Sequence, residues 1–214
     1  NVPAGVAFPL VIQLGKWRRM VMIPATTACT SRTQTAEQSR LPRRQNEGGN
    51  NVDNIPLVAI STGKVDALEC VFRKLGLTAK TCTNGPRAGN ACASNSDCRT
   101  GNGQNYTCGD TQNQFGNPPG TSSADWGRIR LYRDNQSGQA NGGARIDSNT
   151  PRTDSALTDT QGHLDQYDAV IFGCAGSANR RDTNRLNRVR AYADKGGRVF
   201  ATHYEYVYLD TNNV

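Results

Sequence analysis

The sequence predicts an α/β fold: a parallel sheet that carries a disulfide-rich insertion and is preceded by a β-hairpin. Three observations predict it. Residues 55–61 and 168–173 are continuous apolar runs, IPLVAIS and DAVIFG, the pattern of strands buried on both faces. Each is followed by a segment with helical spacing, and strands alternating with helices imply parallel pairing. Four of the seven cysteines crowd into residues 82–108, a stretch with almost no apolar side chain to bury.

The elements follow in order. Residues 8–14 and 17–23 alternate as strands around Gly15 and Lys16, a hairpin that is marginal alone and must pack on something. Residues 1–24 are assigned to it, and the polar residues 25–54 read as a linker that Cys29 would tie down. An α/β domain then spans 55–214. After the strand at 55–61, Thr62 and Gly63 make the turn. Apolar residues at 65, 68, 71, 72 and 75 give helical spacing, and Gly76 is a stop. Residues 79–125 are too long and polar for a connection and read as the cysteine-rich insertion. Residues 127–132 alternate as a strand nearer an edge, and weak helical character starts at 153. The strand at 168–173 leads through Cys174 and Gly176 into a helix at 181–194, with Leu186, Val189 and Tyr192 inward. Gly196 and Gly197 close that helix, and 198–203 is the next strand. The order matches an open parallel sheet of flavodoxin-like topology.

Composition narrows the classes. The chain has 214 residues, enough for one large domain or one domain and part of another. It is 36% hydrophobic with a mean hydropathy of −0.65, and the polar excess sits in 25–54 and in the loops between 79 and 162. No run of 18 apolar residues exists, so no membrane span is expected. The net charge of +7 comes from 20 arginines against five lysines, scattered among acidic residues. Even the densest run, Arg180 to Arg190, reads as the solvated face of a helix, so no nucleic-acid partner is expected.

Cys82, Cys92, Cys98 and Cys108 lack the tight C-x2-4-C pairs that zinc prefers, and they read as two local disulfides. Three connectivities are open. Disulfides imply an oxidising compartment, so the protein is expected to be secreted or displayed at the cell surface. Cys29, Cys70 and Cys174 remain. With no signal peptide visible and a first residue Asn1, the chain is expected to be a piece of a longer secreted protein.

Ligands of open parallel sheets bind beyond the carboxyl ends of the strands. Those ends carry Ser61, Thr62 and Gly63, then Cys174, Gly176 and Ser177, then His203, Tyr204, Glu205 and Tyr206. A cysteine on a strand-to-helix turn can be a nucleophile, with His203 as its base and Glu205 orienting the imidazole. On a strand, His203 and Glu205 would point to the same side. As metal ligands they lack a third partner, so neither metal nor cofactor is expected. Tyr204, Tyr206 and Tyr208 alternate and would present an aromatic face to a glycan or a protein. No Gly-rich turn matches a nucleotide-binding pattern.

The segments IPLVAISTG, YDAVIFGCAGS and YADKGGRVFATHYEY resemble the class I glutamine amidotransferase-like superfamily, especially its ThuA-like branch. The resemblance implies a nucleophilic cysteine at the second turn. His203 stands there instead, as ThuA-like members tend to have, and Cys174 falls on the glycine-rich oxyanion-side turn. The opening NVPAGVAFPLVIQLGKWRRMVMIP resembles the closing strands of a carboxypeptidase regulatory-like β-sandwich. Together they are similar to large secreted proteins of myxobacteria and related bacteria. CTNGPRAGNACASNSDC looks like a cysteine-rich insert of such proteins.

The leading functional expectation is a non-enzymatic extracellular module for structure, adhesion or assembly, binding other protein domains through exposed strands. Its rival is a hydrolase or carbohydrate-active enzyme using Cys174, His203 and Glu205. The two separate by geometry: Cys174 close to His203 in an open pocket favours the enzyme.

Overall fold

A computed structural model describes residues 2–49, 51–77, 81–82, 84–87, 92, 95–99, 106–109, 114–119, 127–134, 143–178 and 182–210. The remainder of the insertion expected at 79–125, and Arg180 and Arg181 of the arginine run, lie outside them. The chain divides into two compact units, residues 1–56 and 57–214.

In the first unit β1 (Phe8–Leu14) pairs antiparallel with β2 (Trp17–Ile23), Leu14 opposite Trp17. Gly15 turns the chain with φ +59°, a conformation that favours glycine. The segment 25–54 is not a free linker, because polar groups bind it to the hairpin. The Trp17 indole donates to the Pro42 carbonyl at 2.8 Å, and Arg18 and Asn54 exchange backbone hydrogen bonds at 2.9 and 2.8 Å. Buried Asp53 accepts from the backbone N–H groups of Met20 and Gly48, both at 2.9 Å. A one-turn helix α1 (Ala36–Ser39) starts at a capping box of Thr35 and Gln38. Cys29 ties nothing: its thiol is free and exposed.

The second unit is built on β3 (Val58–Thr62). Helix α2 (Glu69–Phe72) follows, and then the short strands β4 (Thr81–Cys82), β5 (Cys108–Gly109) and β6 (Phe115–Gly116). After them come β7 (Ile129–Arg133), α3 (Thr153–Ala156), α4 (Gln161–Asp165), β8 (Ala169–Phe172), α5 (Thr183–Asp194) and β9 (Arg198–Ala201). Five strands form one parallel sheet in the order β6-β7-β3-β8-β9. Every residue of β3 is buried, as its unbroken apolar run predicts. Strand β7 stands one place in from the edge, with two-residue β6 beyond it.

One face of the sheet holds the main core. Ala59, Tyr132, Val170 and Phe172 pack under Leu157, Leu164, Leu186, Val189 and Tyr192 from the helical segments. Asp182 caps α5 by accepting from the Arg185 N–H, and the predicted inward residues of that helix are the buried ones. Val58, Ile60, Ile129 and Leu131 point to the opposite face and are buried too. At β9 that second face opens, leaving Phe200 57% exposed.

Two expectations change. The helix expected over 65–75 is a single turn, α2, followed by a wide turn at Arg73–Leu77 with Gly76 at φ +89°. Val65, Val71 and Leu75 are exposed, not inward. The last strand stops at Ala201, and His203–Tyr208 is a 3₁₀ helix. The alternation of the three tyrosines is therefore not that of a strand.

The insertion is stapled as expected. Cys82 joins Cys98 and Cys92 joins Cys108, each across 16 positions, while Cys82 and Cys108 also pair across β4 and β5. No helix among the described residues is long and apolar enough to cross a membrane.

Candidate functional site

Strand β3 runs to β7 on one side of the sheet, and the chain then crosses to β8 on the other. The loops after β3 and β8 diverge there, leaving the crevice that such sheets use for ligands. The approach is tight. The Val65 N–H donates to the Cys174 carbonyl at 3.1 Å, and a Cβ at Gly63 would overlap that same carbonyl. Only glycine fits at 63.

The residues predicted from the strand ends separate into two groups. Ser61 and Thr62 are fully buried. The Ser61 hydroxyl lies 2.7 Å from that of Thr153, and the Thr62 hydroxyl donates to the carbonyls of Ala144 (2.7 Å) and Tyr132 (3.1 Å). These hydroxyls hold the fold and do not face a ligand. Cys174, Gly176, His203, Tyr204 and Tyr206 instead line one pocket of about 360 Å³, together with Val65. Ser177 is exposed beside Gly176, which turns the chain at φ +100°. Tyr208 leaves the aromatic face altogether: it is buried and stacked on Phe172, with centroids 3.9 Å apart.

The partner of His203 is not Glu205. The Glu205 side chain is fully buried and accepts from the Ala175 N–H at 3.4 Å, fixing the turn that carries Cys174. The 3₁₀ geometry explains this, since three residues per turn place positions i and i+2 on different sides. The His203 Nδ1 lies 2.8 Å from an oxygen of Asp66, 137 positions earlier in the chain. Hydrogen bonds from the Thr202 hydroxyl and then His203, with one from the Cys174 N–H, outweigh partial burial and hold the Asp66 carboxyl below its ordinary range. The Cys174 N–H also reaches the Thr202 hydroxyl oxygen at 3.1 Å.

Asp66, Cys174 and His203 thus form one cluster, with a carboxylate oxygen, the thiol sulfur and an imidazole nitrogen all within 4.8 Å of one another. Cys174 is 2% exposed and its thiol is free. The His203 side chain is 67% exposed and sits in the left-handed region at φ +42°. A non-glycine residue held there stores strain, which collects at functional sites.

Fold and site define the class: an α/β protein with a parallel sheet and a cysteine–histidine–aspartate cluster at the carboxyl end of its strands. Comparison with protein-family models, curated proteins and solved structures found no match to the chain.

Proposed function

We propose that the protein is a secreted hydrolase of acyl compounds whose nucleophile is Cys174, on a sheet of flavodoxin-like order that resembles the ThuA-like branch of the amidotransferase superfamily. One observation carries the reading: a free thiol clustered with an imidazole that is itself oriented by a carboxylate, in an open pocket. Asp66 occupies the Nδ1 side of His203, which leaves Nε2 to accept the thiol proton. The thiolate attacks the acyl carbon, and His203 returns the proton to the departing group. Water, deprotonated by the same imidazole, then cleaves the thioacyl bond and regenerates the thiol. Val65, Tyr204 and Tyr206 suit an uncharged acyl group. The two disulfides support an oxidising compartment.

The test is hydrolysis of aryl esters of graded acyl size. Cys174→Ser should reduce it to background and Asp66→Asn by about 10²- to 10⁴-fold. Full activity in Cys174→Ser, or Cys174 found disulfide-bonded in the native protein, would end the reading.

A second reading, the extracellular assembly module, is favoured by Phe200, whose ring stands exposed on the outermost strand β9. Concentration-dependent sedimentation that Phe200→Asp abolishes would support it, and a monomer at all concentrations would count against it.

A further inference from the structure

The sequence offers His203 and Glu205 as metal ligands with no third, and the fold supplies a different set. We infer that Asp66, Cys174 and His203 form a three-ligand site for a thiophilic divalent cation, Zn²⁺ in particular. Thiolate, imidazole and carboxylate are the three side-chain donors that zinc takes, and their donor atoms already lie within 4.8 Å of one another. Tetrahedral coordination at about 2.0–2.3 Å needs donors roughly 3–4 Å apart, a small adjustment from this cluster. The adjustment opens the 2.8 Å contact between Asp66 and His203 and draws in any donor pair that lies farther apart, toward the 4.8 Å limit.

Independent features point the same way. The turn that carries Cys174 has outer support of the kind metal ligands need: the Cys174 N–H donates to the Thr202 hydroxyl oxygen at 3.1 Å, and the Ala175 N–H to Glu205 at 3.4 Å. His203 opens the 3₁₀ helix that follows β9, at φ +42°. The three ligands come from loops after three strands, β3, β8 and β9, which the sheet holds in register. A fourth position would open into the pocket lined by Tyr204 and Tyr206, as zinc sites with an exchangeable ligand do. On binding, the Cys174 thiol releases its proton to solvent and the sulfur lone pair forms the metal bond.

The inference does not rest on the hydrolase reading, although both use Cys174. Zinc at this site would block the free thiol and so regulate, or replace, thiol chemistry. The probe is Co²⁺, whose bond to thiolate gives a near-ultraviolet charge-transfer band. It is titrated into the full chain carrying Cys29→Ser and Cys70→Ser, which removes the two exposed thiols. A band saturating at one equivalent and displaced by Zn²⁺ is expected. Cys174→Ala should abolish it. Asp66→Asn should weaken Co²⁺ binding at least about tenfold. His203→Ala, at an exposed position, should do the same without endangering the fold. No band in the parent, or a band that persists in Cys174→Ala, would overturn the site. Iodoacetamide labelling of Cys174 and ester hydrolysis in metal-free protein are scored separately. Cobalt binding with no hydrolysis keeps the metal site and removes the hydrolase, and hydrolysis with no cobalt band does the reverse.

Discussion

Residues 1–56 and 57–214 put different chemistry in their interiors. Among the described residues of the first unit the buried ones are Ile23, Pro42, Asp53 and Ile55, one of them a carboxylate. Around them, arginines reach carboxylates and carbonyls: Arg40 to Glu47 and Glu37, and Arg19 to the Glu37 carbonyl. The second unit buries whole strands, and its core cluster takes aromatic and branched side chains from strands and helices alike. A hairpin with one half-exposed face has too little apolar area to order 30 polar residues, so hydrogen bonds of fixed geometry replace it. The difference teaches where each unit is vulnerable: the second to lost volume, the first to lost partners.

The largest effect should come from Phe172→Ala. That ring is fully buried, stacks on Tyr208 and sits two residues before Cys174. A loss of about 3–5 kcal/mol is expected from the urea midpoint at unchanged slope. A loss below about 1 kcal/mol would show that the second unit does not depend on apolar volume. Asp53→Ala tests the other side of the comparison. It removes the shared acceptor of the partly buried Met20 N–H and of the Gly48 N–H, at a cost of about 1–3 kcal/mol. Hydrogen exchange should speed up in 1–56 and leave the sheet residues of 57–214 unchanged. Equal acceleration in both would erase the distinction. A smaller effect, about 1 kcal/mol, is expected for Thr35→Ala, which removes the capping box of α1. Limited proteolysis near residues 36–39 would read it.

How far the sequence reaches follows the same division. Strands β3, β8 and β9 and helix α5 are legible because apolar runs mark the strands and 3.6-residue spacing marks the helix. The helix expected over 65–75 is not, although its apolar spacing is good. Asp66 is committed to His203 and the Val65 N–H to the Cys174 carbonyl, which holds 64–67 as a loop, and the N-cap of α2, Leu68, makes no side-chain capping bond. Of the site, Cys174 and His203 are legible from their positions at strand ends. Asp66 is not: Glu205 stands nearer in sequence, and only the crossing of the chain from β3 to β8 brings residues 137 positions apart into contact. The signal was present in Gly63, the turn residue three positions before Asp66. In 25–54 the polar composition hides a packed segment, because buried hydrogen bonds leave no periodic trace.

The finest test of the comparison is pH. Burial pushes the Glu47 carboxyl up, but hydrogen bonds from Arg40 and from the Arg43 N–H outweigh it and hold the group below its ordinary range. A carboxyl depressed in the folded state contributes stability that is fully present above its unfolded value, about 4.3, and is lost as pH falls through the lower folded value. Acidification below about pH 4.5 should therefore loosen the 37–47 loop of the first unit while the parallel sheet persists. Glu47→Gln should flatten that acid limb, and wild type and variant should converge once Glu47 is protonated. The measurement is the Trp17 fluorescence transition, since its indole bonds to Pro42 inside this loop. An acid limb equally steep in Glu47→Gln would show that other carboxylates hold the first unit together, Asp53 foremost among them.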